Sequence, residues 1–75
     1  MTLSLDGTLT GPWVGELRAE CDSALAERRR LSLDLSGLGF LDASGVRLLL
    51  ALRERDVQLR NPSPLVVELL KRSEP

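Results

Sequence analysis

Residues 31–52 read LSLDLSGLGFLDASGVRLLLAL, and this stretch decides the fold. Leu31, Leu33 and Leu35 alternate with Ser32, Asp34 and Ser36, the period-two pattern of a strand with one buried face. From Val46 the spacing changes. Val46, Leu49, Leu50 and Leu52 fall on one side of a helix predicted to begin just after Ser44 and to end near Glu54. Between the two, SGLG at residues 36–39 reads as a turn; it has neither the lysine nor the spacing of a P-loop, and it does not match GxGxxG. Strand, loop and helix in that order are the unit from which α/β folds are made.

Working outward, Leu3 with Leu5, and Val57 with Leu59, repeat the alternation of the central strand, so three strands are predicted. Their other faces carry Ser4, Asp6, Ser32, Asp34, Gln58 and Arg60, which leaves one side of the sheet wet and puts the helices on the other. A first helix is predicted from about Pro12 to Glu27, with Thr10 as its cap and Val14, Leu17, Cys21, Ala24 and Leu25 as its apolar stripe. Arg28, Arg29 and Arg30 then read as the solvated end of that helix, where positive charge is favoured. A third helix follows NPSP, with Ser63 as N-cap, Pro64 in the first turn, and Leu65, Val66, Leu69 and Leu70 as the buried stripe. The order β-α-β-α-β-α gives an α/β fold: a small, mostly parallel sheet with sequential strand order and helices packed on one face. The chain, 1–75, reads as one domain without internal repeats.

The totals exclude several functions. With 43% hydrophobic residues and a mean hydropathy of −0.02 the chain is too apolar for disorder, yet no run approaches the roughly 18 to 20 apolar residues of a membrane span. Ten basic against eleven acidic side chains, net charge −1, give no footprint for nucleic acid. The lone Cys21 and the absence of a secretion signal point to the cytoplasm. Catalysis lacks its parts. There is no histidine, no serine has an evident base, and no zinc site of the usual kinds is available, so neither an enzyme nor a metal or cofactor site is expected. Asp34 and Asp42 would in principle share a magnesium ion, but Asp34 is explained by the wet strand face and Asp42 by loop N–H groups.

Three residues admit two readings each. Cys21, on the apolar stripe of the first helix, is a buried thiol or a reactive one, and burial is expected. Trp13 belongs to the core or its rim, whereas a solvent-facing tryptophan would be a binding anchor. Ser44 is an N-cap whose hydroxyl accepts from Val46 or Arg47, or it is a modification site. A phosphate at a helix mouth meets free N–H groups and the positive end of the dipole while adding about −1.5 to −2 charge.

The segment LSLDLSGLGFLDASGVRLLLAL resembles the STAS domain family, whose members include anti-sigma factor antagonists. Strand, Asp-Leu-Ser, a hydrophobic pair, Asp-x-Ser-Gly and helix occur in the family's order, and the resemblance extends from LDGTLTG to LRNPSPLVVELL. It implies a partner switch. The serine before the glycine, here Ser44, would be phosphorylated by an anti-sigma factor that is also a serine kinase, and a phosphatase would reverse it. Asp42, Ala43, Ser44, Gly45 and Arg47 would form the docking surface, with ATP and metal supplied by the kinase. The chain is shorter than family members at both ends, which points to edge pairing or a homodimer through the first strand or third helix. It also has Ala43 where phosphorylated members often carry serine or threonine. The family implies two other roles: a non-enzymatic STAS subunit of an ABC lipid transporter, and a self-assembling STAS scaffold or sensor.

Overall fold

The computed structural model describes residues 1–73. Strands β1 (Thr2–Leu9), β2 (Ser32–Leu41) and β3 (Gln58–Arg60) alternate with helices α1 (Gly11–Ala26), α2 (Ala43–Glu54) and α3 (Pro64–Ser73). All pairing is parallel and the strand order is β1-β2-β3, as the alternating elements imply.

The register shows why. Leu3, Leu33 and Leu59 sit side by side across the sheet, flanked by the rows Thr2–Ser32–Gln58 and Ser4–Asp34–Arg60. Because side chains alternate faces, one row of leucines points inward and both polar rows point away. The leucine row joins a single apolar cluster with Val14, Leu17, Cys21 and Ala24 of α1, Val46, Leu48, Leu49 and Leu52 of α2, and Val66 and Leu70 of α3. Every fully buried leucine contributes about 1.5–3 kcal/mol, and among the described residues no polar or charged one is buried with them.

Several expectations change. SGLG is not a turn: Ser36–Gly39 lie within β2, which runs on to Leu41. The strand hides there because its pairing with β1 shifts register between Ser4 and Asp6 and again between Gly7 and Thr8. Such bulges break the period-two pattern and move the inward leucines to positions 35, 38 and 41. In α3, Val66 and Leu70 are buried, Leu69 is at the rim and Leu65 is exposed, so the stripe is narrower than its spacing implied. Ser63 does cap that helix, accepting from Val66 N–H at 3.3 Å. Trp13 is 57% exposed, which removes it from the core. Cys21 is buried as expected, and that burial, followed by Asp22 and Glu20, pushes its thiol pKa up.

Both α1 and α2 end in a Schellman closure. Arg29 N–H donates to Ala24 O and Arg28 N–H to Leu25 O; Val57 N–H donates to Leu52 O and Asp56 N–H to Arg53 O. The pivots, Arg28 at φ 61° and Asp56 at φ 66°, occupy the left-handed region in which a Cβ costs about 1–2 kcal/mol. Arg28→Gly should therefore raise stability by about 1 kcal/mol, read as a higher urea midpoint at unchanged slope; a lower midpoint would contradict the pivot.

Candidate functional site

Asp42 sits between β2 and α2 with extended backbone, φ −86° and ψ −176°, and is the N-cap of α2. Its Oδ1 accepts from Gly45 N–H at 2.9 Å and from Ser44 Oγ–H at 2.7 Å. Its Oδ2 accepts from Gly11 N–H at 3.1 Å. The first bond is the ordinary cap. The last serves the other helix: Thr10, the N-cap position of α1, makes no side-chain cap bond, and Asp42 supplies an acceptor at that end. One carboxylate thus joins the mouths of α1 and α2.

Ser44 is accordingly not the N-cap. It lies inside α2, half-buried, and donates its hydroxyl proton instead of accepting one. Asp and Ser are both good caps, and what separates them is the residue at which the backbone turns helical. Loss of the bond in Ser44→Ala should cost about 0.5–1.5 kcal/mol.

Gly45 is buried against the end of β1. A Cβ there would lie 2.5 Å from Leu9 O, 3.1 Å from Leu41 Cβ and 3.2 Å from Leu9 Cγ. Only glycine lets α2 approach the sheet this closely. Ala43 and Arg47, four residues apart on α2, are exposed and share a face. The five residues singled out in the sequence therefore divide: Asp42 and Gly45 shape the helix mouth, while Ala43, Ser44 and Arg47 give it an accessible surface.

The hydrogen bond from Ser44 hydroxyl, then those from Gly45 and Gly11 N–H, hold the Asp42 carboxyl below its ordinary value of 3.8. Since the folded state holds this proton less tightly, the resulting stability is present above the ordinary carboxylate range and is lost as pH falls through the depressed folded value. Asp34 is lowered too, first by Ser36 N–H and then by the Ser36 and Asn61 side chains. Asp42→Asn should flatten part of the fall in melting temperature between about pH 5 and pH 2, and Asp34→Asn a further part; an unchanged slope in both variants would overturn these assignments.

Asp34 and Asp42 do not share a metal site. The remainder of β2 separates them by about 20–25 Å at the rise of a strand, and among the described residues no group of three or more potential ligands is assembled. The joining of Gly11 to Asp42 went unseen in the sequence, where no signal links positions so far apart. Nor was the exposure of Phe40, at 46%, legible there.

The family profile described as "Mlab, STAS domain" matches residues 1–74. The chain belongs to the STAS family. A solved structure of the anti-sigma factor antagonist SpoIIAA in its unphosphorylated form is similar to this STAS domain with a TM-score of 0.75 and 28% identity, over 93% of this chain and 71% of that one. A crystal structure of Mglu shares the fold at a TM-score of 0.68 and 19% identity, over 84% of this chain and 17% of that one. No curated protein matches the sequence. Among the described residues of the STAS domain no helix is long and apolar enough to cross a membrane.

Proposed function

We propose that this STAS domain is a regulatory protein-binding module that acts as an anti-sigma factor antagonist. It binds an anti-sigma factor kinase through Asp42, Ala43, Ser44, Gly45 and Arg47, is released when Ser44 is phosphorylated, and is restored by a phosphatase. The likeness to SpoIIAA over 93% of the chain supports the class of protein. The observation that carries the switch is the place of Ser44: a half-buried hydroxyl at a helix mouth that donates to the Asp42 carboxylate at 2.7 Å.

Phosphorylation would turn that donor into a dianionic acceptor beside Asp42. The two anions repel, so the phosphate swings outward, while Asp42 keeps the N–H groups of Gly45 and Gly11. The fold survives, and the charge changes on the surface presented by Ala43 and Arg47.

The test is a pull-down from a cell extract with the parent protein and Ser44→Asp side by side, the retained proteins identified by mass. A kinase-like anti-sigma factor held by the parent and lost by the variant is the expected result. A second reading, a non-enzymatic STAS subunit of an ABC lipid transporter, is favoured by the "Mlab" description of the matching family. Under it, Ser44 serves only to fix Asp42, and an ATPase is retained equally by both proteins.

A further inference from the structure

Arg47 is exposed and forms no ion pair among the described residues. Its neighbours three and four positions away on α2 are Ala43, Ser44, Leu50 and Ala51, so its own helix offers it no carboxylate. The surrounding elements offer none either. Residues 7–15 and 35–41, which end β1 and β2 and open α1, carry no charge. Farther along α1, Glu16 lines the groove beside β1, and Asp22 is paired with Arg55, near the carboxyl ends of both helices, at 2.6 Å. On α3, Glu68 is held by Arg72 Nε at 3.3 Å. That leaves Asp42, whose two oxygens are taken by Ser44 Oγ–H and by the N–H groups of Gly45 and Gly11.

The direction of the side chain decides what it can meet. Long side chains on a helix lean toward its amino end, over the turn before their own Cα. For Arg47 that turn holds Ala43 and Ser44. Ala43 is exposed and ends at a methyl, which leaves the path open. In the unmodified protein the turn offers only a hydroxyl that already donates to Asp42 Oδ1 at 2.7 Å. A phosphate on that oxygen is repelled by Asp42 and swings out onto the face that Ser44 shares with Arg47.

Resting on the reading that Ser44 is phosphorylated, we infer that Arg47 is an internal clamp for that phosphate: its guanidinium binds two phosphate oxygens through its paired N–H groups and is withdrawn from the docking surface. Release then has two parts. The phosphate adds about −1.5 to −2 charge, and the cation that faced the partner turns back to meet it. Ser44→Asp reproduces only the first part, since its carboxylate is shorter and carries a single charge.

The test uses the full chain synthesised with phosphoserine at position 44, with and without Arg47→Gln, which keeps a long polar side chain and a similar helix propensity at an exposed position. The phosphorus resonance, followed from about pH 4 to about pH 9, reports the second ionisation of the phosphate. A neighbouring cation favours the dianion, so the midpoint with Arg47 present should lie about half a pH unit below that of Arg47→Gln, the size of an exposed ion pair. Asp42 is common to both proteins and cancels. The Arg47 Nε–H resonance should move with the same midpoint, a signature that a merely structural arginine lacks. Equal midpoints in the two proteins, or an Arg47 resonance blind to the titration, would overturn the clamp. Neither readout needs the partner, whereas the switch fails on retention of the partner by Ser44→Asp, so the two failures are told apart.

Discussion

Ser44→Asp should bind the anti-sigma factor kinase about a hundredfold more weakly than the parent protein. The variant places a fixed negative charge at the mouth of α2, where the parent has a neutral hydroxyl. A new charge about 6 Å from a like charge on the docked partner is worth roughly 3 kcal/mol at an effective dielectric near 20, which corresponds to about two decades in Kd. The geometry also revises what the variant does to the protein itself. Were Ser44 the N-cap, aspartate would replace it without loss; as a donor to Asp42 Oδ1, it gives way to a second carboxylate facing the first. Ser44→Asp should therefore be less stable than Ser44→Ala, with the helix dipole offsetting part of the repulsion. Titration calorimetry at matched salt, with circular dichroism to show that both variants are folded, separates the two effects. Binding within threefold of the parent would remove the switch and favour the transporter-subunit reading.

The largest loss of stability is expected from Gly45→Ala. The new methyl must displace Leu9 O, a backbone atom fixed by the parallel ladder, as well as Leu41 and Leu9 side chains. Overpacking of this kind costs about 1–3 kcal/mol, and a backbone neighbour puts the site at the upper end. Alanine recovers about 1 kcal/mol of helix propensity, so a net loss of about 2 kcal/mol is expected. In a domain of this size that lowers the melting temperature by about 8–16 °C. Urea unfolding gives the free energy directly; a change below about 0.5 kcal/mol would show that α2 can back away from β1 without penalty. Partner binding by the folded fraction should also weaken, since any such retreat carries Ala43, Ser44 and Arg47 with it.

How far the sequence discloses this architecture depends on the residue. Leu33 and Leu35 announce an inward face because serine and aspartate alternate with them, and the parallel register with Leu3 and Leu59 follows from the same rule. Beyond Ser36 the rule fails, since two bulges in the β1–β2 pairing give leucines spaced by three. At the site, residue types were legible and roles were not. Asp42 and Ser44 have similar capping preferences, and only the backbone angles of residue 42 assign the cap. Trp13 shows a third limit: helical spacing counts which side chains share a face, but not whether another element arrives to cover it.

The bond from Gly11 to Asp42 also bears on the order in which the chain acquires structure. It spans thirty-one positions, so on a ribosome α1 emerges complete in sequence while the acceptor for its first N–H is still unmade. Its amino end should fray in every nascent chain shorter than residue 42 and become protected from solvent exchange only once β2 has docked. The amides of Gly11 and Gly45 would then gain protection in a single step, marking the moment at which three separate segments become one cooperative unit.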